Sequence, residues 1–149
     1  MVLYNSPSSL GEALEILGGD DRRILAGGTD FYPALVDRPV SFDTLDISRV
    51  GGLRGVERTG EGWRIGATTT WTDIVRAPLP RCFDGLKASA REIGSIQIQN
   101  AGTLAGNLCN ASPAADGVPP RCRWPRIVTR DSRPVCASSA CDSRKVLPT

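Results

Sequence analysis

Five short elements of alternating kind crowd the first fifty residues, and this alternation constrains the fold more than any other feature of the chain. Val2-Leu3-Tyr4 reads as a brief strand. Ser9-Leu10-Gly11-Glu12 is a capping box: the serine hydroxyl can accept from the Glu12 amide while Glu12 reaches back. Leu10, Ala13, Leu14 and Leu17 then fall at helical spacing and make one apolar face, and Gly18-Gly19 stops the helix. Arg23-Ile24-Leu25-Ala26 is a second strand, cut off by Gly27-Gly28. Asp30 is expected to cap a short helix from Phe31 to Val36, with Pro33 tolerated in its first turn. Thr44-Leu45-Asp46-Ile47 is a third strand. Strand, helix, strand, helix, strand in so short a span predicts a small parallel sheet with right-handed crossovers.

The second half changes character. Leu53 to Arg58 and Trp63 to Gly66 form a hairpin about Thr59-Gly60-Glu61-Gly62. Thr68-Thr69-Thr70 leads into a short helix near Thr72 to Arg76, and Asp84 to Ile93 is helical, with Leu86, Ala90 and Ile93 apolar. The stretch from Gln97 to Asn107 is rich in glycine and side-chain amides. A boundary near Gly51-Gly52 divides the chain into a first lobe (1–50), a second lobe (51–120) and a tail (121–149). The class is α+β, a parallel βαβ lobe followed by a mixed or antiparallel one.

Composition excludes several functions. The chain of 149 residues has no histidine, which removes Ser-His-Asp and Cys-His nucleophiles, His-ligated metals and any imidazole base. A catalyst made from it must borrow chemistry from a cofactor or a partner. No window approaches the roughly 18 apolar residues of a membrane span, and the N-terminus lacks the pattern of a signal peptide. The net charge of +2 hides a split: residues 1–120 hold eleven Lys and Arg against fourteen Asp and Glu, residues 121–149 seven against two. A nucleic-acid footprint could lie only in the tail, and no nucleic-acid partner is expected. The 5 cysteines are irregularly spaced without a Cys-x-x-Cys pair, so neither a disulfide framework nor a metal site is indicated and a reducing cytoplasm is the default. Cys109, beside Leu108, is expected to be packed.

Two segments could carry chemistry. Ala26-Gly27-Gly28-Thr29-Asp30 sits at a strand-to-helix transition, where glycines let successive N–H groups converge on an anion. Taken alone it is more simply a tight turn with an aspartate cap, and it matches neither the Walker nor the dinucleotide glycine pattern. Asn100 to Asp116 holds few apolar side chains but three asparagines, Thr103, Ser112 and Asp116. It reads as a long polar loop, and loops of that length usually serve a function.

Together with Ile65-Gly66-Ala67-Thr68-Thr69-Thr70 and the run from Ile93-Gly94-Ser95 through Asn107 to Ala114-Ala115-Asp116, the turn makes residues 1 to about 120 resemble one family. It is the FAD-binding, PCMH-type domain of molybdenum hydroxylases, the medium subunit of enzymes of the xanthine dehydrogenase and carbon monoxide dehydrogenase type. The resemblance implies a two-lobed domain with FAD in the cleft. Ile24, Leu25, Ala26, Gly27, Gly28, Thr29, Asp30 and Phe31 would grip the pyrophosphate. Thr103, Leu104, Ala105, Gly106 and Asn107 would form the facing wall, with Ile93 near the flavin and Asp116 on the sugar portion. An acidic, lysine-poor lobe is expected to meet the phosphates with amide dipoles alone. Ala105 stands where the family usually has glycine, so a negative φ is expected there.

The implied role is electron relay with no catalytic side chain in this chain. A molybdopterin-binding large subunit and a 2Fe-2S small subunit would be partners, and NAD or another acceptor the destination. Two other readings stay open: a fragment of an FAD-dependent oxidase, and a non-catalytic binding module with a basic tail. Past Pro120, arginine, cysteine, serine and proline crowd together without apolar periodicity. Arginine outnumbers lysine 16 to 2 across the chain. Both features fit out-of-frame reading of GC-rich DNA, so a frameshift or truncation near Pro120 and an incomplete second lobe are expected.

Overall fold

The computed structural model describes residues 2–19, 22–36, 38–60 and 62–110. Glu61 of the expected hairpin turn, the expected polar loop beyond Asn110 including Asp116, and the basic tail lie outside the described residues.

The first half is a three-stranded parallel sheet. β1 (Tyr4–Asn5), β2 (Arg23–Leu25) and β3 (Thr44–Asp46) lie in the order β1-β3-β2, with Tyr4 and Arg23 both in register with Thr44. The last strand in sequence thus enters the middle, and Thr44 and Leu45 are buried while the edge strands expose Tyr4 and Ile24. Parallel neighbours need long connections. α1 (Leu10–Leu17) supplies the one between β1 and β2. Its capping bond forms as expected, Glu12 N–H to Ser9 Oγ at 3.2 Å. The Glu12 carboxylate returns to the Ser8 amide at 3.0 Å, one residue earlier than the box requires.

Two local expectations fail for physical reasons. Of the apolar face of α1 only Ala13 is buried, while Leu10, Leu14 and Leu17 stay 44%, 57% and 37% exposed. Strands of two or three residues offer too narrow a floor for the whole face. Between β2 and β3 the expected helix from Phe31 to Val36 is a 3₁₀ turn, Pro33–Leu35, closed by Leu35 N–H to Tyr32 O and Val36 N–H to Pro33 O. Tyr32, not Asp30, holds the capping position, and it makes no side-chain capping bond. Proline has no N–H to extend the helix, and Val36 ends the turn in the left-handed region at φ 43°.

The second half begins with the expected hairpin, β4 (Val56–Thr59) against β5 (Gly62–Ile65). α2 (Trp71–Arg76), a 3₁₀ turn at Arg81–Phe83, α3 (Asp84–Glu92), α4 (Ile96–Ala101) and α5 (Leu104–Asn110) follow. Trp71, Ile74, Phe83, Leu86, Ala90, Ile93 and Leu104 pack as one buried cluster. Phe83 and Trp63 meet edge to face at 6.3 Å, tying the hairpin to the helices.

The long polar loop is another correction, since its described part is largely helical. Its small polar residues act as caps. Ser95 Oγ accepts from the Ile98 amide at 3.4 Å, and Thr103 Oγ1 from the Gly106 amide at 3.1 Å. Leu104, 5% exposed, anchors α5 in the core. Ala105 lies in the first turn of α5 and is not among the residues with positive φ, so alanine fits there without strain. Cys109 is exposed, against the packed position expected for it. No helix among the described residues is long and apolar enough to cross a membrane.

Candidate functional site

A buried run of hydroxyls forms one wall of a cleft. Thr68, Thr69 and Thr70 are 4%, 0% and 5% exposed, deep for polar residues. Backbone bonds lock this run against the start of α5: Leu104 N–H to Thr69 O at 3.0 Å, Ala105 N–H to Ala67 O at 3.3 Å, and Trp71 N–H to Gly102 O at 3.3 Å. Thr70 and Thr103 form an isolated antiparallel bridge. Thr69 Oγ1 accepts from the Gly55 amide and donates to the Gly55 carbonyl, both at 3.0 Å. Thr70 caps α2 in a full capping box with Asp73: Asp73 N–H to Thr70 Oγ1 at 3.2 Å and Thr70 N–H to Asp73 Oδ2 at 3.1 Å.

The opposite lip is the end of β2. Gly27 is glycine because the backbone of Ala101 and Gly102 comes so close that a Cβ would overlap the Ala101 carbonyl. Gly28 is glycine for another reason. Its φ is 74°, and a Cβ would sit 2.8 Å from Tyr32 Cε2. Between lip and wall lies a cleft of about 230 Å³, lined by Ala26, Gly27, Ser48, Arg54, Thr68, Thr70, Asn100, Ala101 and Thr103.

The chemistry of the cleft lies in its donors. The amides of Gly27, Gly28 and Thr29 meet no protein acceptor among the described residues. Thr68 Oγ1 is buried and also without a hydrogen-bond partner. Asn100 Oδ1 accepts from Thr72 Oγ1 at 2.6 Å, which leaves the Asn100 NH₂ as the donating end. Arg54 is the charged member of the lining. Its Nε and Nη2 donate to Asp73 at 2.8 and 3.1 Å, leaving the rest of the guanidinium fork for another acceptor. Burial pushes the Asp73 carboxyl up, but hydrogen bonds from Arg54 and Thr70 outweigh it and hold the group below its usual value. The bond to Asp73 raises Arg54 in turn, so the pair stays ionised. Unsatisfied donors and one cation, with no carboxylate among the described lining residues, make a site suited to an anion.

The structure brings Ala26, Gly27 and Thr103 to the cleft, out of the residues singled out from sequence. Gly28 and Thr29 follow Gly27 in the chain, just outside the lining. Ile24 sits exposed on the edge strand, Leu25 is in the core of the first half, and Asp30 and Phe31 lead into the 3₁₀ turn. Phe31 spends its ring on Tyr32 and Phe42, at centroid distances of 5.3 and 5.7 Å. Ile93 and Leu104 are core residues rather than cleft lining. Leu104, Ala105 and Gly106 already give their amides to Thr69 O, Ala67 O and Thr103 Oγ1, and the Asn107 amide bonds Thr103 O. Their amides are therefore committed to holding the wall together. Beside the amides, the structure adds one charged side chain to the lining, Arg54. Sequence reasoning missed Ser48, Arg54, Thr68, Thr70, Asn100 and Ala101 as lining. The threonine triplet and the amide-rich run were visible signals, whereas Arg54 looks like any surface arginine.

Residues 1–122 match the family described as FAD binding domain in molybdopterin dehydrogenase. The chain is 38% identical over 146 residues to the glyceraldehyde dehydrogenase medium chain of Sulfolobus acidocaldarius, covering 96% of this chain and 50% of that protein. That alignment takes in most of the residues past 122 as well. It is 35% identical over 117 residues to the carbon monoxide dehydrogenase medium chain of Hydrogenophaga pseudoflava, covering 76% and 41%. The structure of carbon monoxide dehydrogenase from Hydrogenophaga pseudoflava lacking the Mo-pyranopterin moiety superposes with a TM-score of 0.70 at 32% identity, over 78% of this chain and 42% of that one. The chain thus spans about half the length of the curated relatives it matches.

Proposed function

This chain belongs to the family of FAD binding domains in molybdopterin dehydrogenase, and from that premise we propose that it holds FAD between two lobes, residues 1–50 and 51–120, and relays electrons through it. The observation that carries the reading is the lip of the cleft. Three successive amides, Gly27 to Thr29, face no protein acceptor among the described residues, which suits a group with two phosphates. The cleft's size bears on which part of the cofactor it takes. At about 230 Å³ it falls short of the roughly 300–1,000 Å³ of a pocket that engulfs a whole ligand. It suits the central, phosphate-bearing portion of the cofactor.

FAD, when bound, supplies the redox chemistry, taking up electrons and handing them on. This chain's residues bind and orient. The lip amides donate to the anion, the Thr68–Thr70 wall holds the facing side rigid through its bonds to α5, and no side chain is asked to carry a proton. A chain without histidine meets that demand. The same reading gives it a molybdopterin-binding large subunit and a 2Fe-2S small subunit as partners in a cytoplasmic oxidoreductase, with NAD or another acceptor taking the electrons. It is supported by relatives that are medium chains of dehydrogenases. Those relatives are named for different substrates, so none is assigned to this chain.

The test is a visible spectrum of the purified 149-residue chain after incubation with FAD and desalting. Flavin bands should remain with the protein; a colourless protein fraction refutes the reading. Within it, Asp116→Ala should weaken FAD by about 1.5–3 kcal/mol if the carboxylate bonds the sugar portion. An unchanged dissociation constant removes Asp116 from the site.

A further inference from the structure

Arg54 and Thr68 are brought together by the hairpin. The Thr68 amide donates to the Leu53 carbonyl at 2.9 Å, so the peptide that carries Arg54 lies beside Thr68, and both residues line the cleft. Gly66 stands just before this bond, where a Cβ would run into the Leu53 carbonyl, so the approach of the two segments is built in. Asp73 clamps the guanidinium by two bonds while itself closing the α2 cap, so Arg54 is held in orientation from the side away from its unused N–H groups.

Thr68 is the independent observation. Thr68 is 4% exposed, and its hydroxyl has no hydrogen-bond partner among the described residues. A buried hydroxyl without a partner is costly, and native interiors carry few of them. Its neighbours Thr69 and Thr70 both find protein partners, so the run is not polar by accident of exposure.

We propose that Arg54 and Thr68 are the side chains that recognise the diphosphate of the cofactor, working opposite the amides of the Gly27–Thr29 lip. This rests on the reading that the cleft takes FAD. The unused guanidinium fork matches phosphate oxygens in shape and charge. The Thr68 hydroxyl, closed to solvent in this structure, gains its missing acceptor once the lining shifts enough to admit a phosphate oxygen. The chemical class recognised is a nucleoside diphosphate moiety, as distinct from the isoalloxazine ring, so ADP should compete with FAD whereas riboflavin should not use this pair.

Thr68→Val keeps the shape of the side chain and removes only the unpartnered hydroxyl. Without ligand its melting temperature should equal or exceed that of the unsubstituted chain, because a buried unsatisfied group is gone. With ligand, its affinity for FAD and for ADP should fall about tenfold. Riboflavin affinity should not change. Arg54→Gln should weaken FAD and ADP by about tenfold or more and flatten the salt dependence of binding. Each variant is titrated with FAD, ADP and riboflavin by flavin fluorescence or calorimetry, and melted without ligand.

The outcomes separate the two levels of the reading. If the unsubstituted chain binds no FAD, the cleft assignment falls and the proposal with it. If it binds FAD and Thr68→Val binds it equally well, the diphosphate assignment alone is overturned. Equal losses for FAD and riboflavin also overturn it, as does a Thr68→Val chain that melts lower without ligand, since the hydroxyl would then be structural. Should Arg54→Gln fail to fold for want of a partner to Asp73, Thr68→Val decides.

Discussion

Replacing Asp73 by alanine should destabilise the second half of the molecule by an amount that can be worked from its bonds. The carboxylate accepts from the Thr70 amide at 3.1 Å at a position where Thr70 is 5% exposed. Losing it strands a buried N–H, a cost of roughly 1–3 kcal/mol. The bidentate pair with Arg54 adds less, because the two side chains are 60% and 32% exposed, and pairs of that kind contribute under about 1 kcal/mol. The Thr70 Oγ1 cap to residue 73 survives, since it uses the backbone amide. The sum is about 2 kcal/mol. In urea, followed by tryptophan emission with Trp71 at the start of α2, the midpoint should fall by about 1 M with little change in slope.

The pH dependence supplies a second check with a definite sign. Asp73 titrates below its usual value when folded, so its contribution is present above the unfolded-state pKa and is lost as pH falls through the lower folded one. The gap between parent and variant should therefore hold at neutral pH and close only below about pH 4. A midpoint within about 0.3 M of the parent at neutral pH, or a gap that widens in acid, would refute the account of Asp73 as the closing member of the α2 cap.

Three further outcomes follow from particular contacts. Gly28→Val should lower the melting temperature of the chain without ligand, because residue 28 sits at φ 74° against the Tyr32 ring; a variant that melts normally but loses FAD would instead mark the position as ligand-contacting only. Tyr4, whose hydroxyl donates to Asp46 at 2.6 Å, has its pKa raised to about 12 by that bond, with burial and the Asp46 charge adding to it. Its contribution is complete below the unfolded value near 10 and should vanish as pH rises through the folded one; ultraviolet titration should lose the late tyrosinate step in Tyr4→Phe. Leu86→Ala empties a fully buried position of the helical core and should cost about 2–5 kcal/mol by urea unfolding, with a smaller loss pointing to a core that collapses around the gap.

The amino-acid sequence by itself determined the elements that rest on local chemistry. The first capping bond of α1, the three short strands, the hairpin at 56–65 and the helix over 84–92 all follow from spacing and turn residues close together in the chain. Three motifs in order also carried the family, because glycines and small polar residues at set intervals persist where a backbone must pass close to something. Tertiary structure alone decided the order β1-β3-β2, since strands of two or three residues hold too little pattern to choose their neighbours. It decided that α1 buries only Ala13, and that the amide-rich run becomes two helices whose first turns are capped by Ser95 and Thr103. It also gave Gly27 a second reason to be glycine, since the fold uses the missing Cβ to admit the Ala101 carbonyl. The juxtaposition of Arg54 with Thr68 was illegible for a related reason. They are fourteen residues apart and meet only because the hairpin folds one onto the other, so their pairing is a property of long-range backbone bonds that no local window contains.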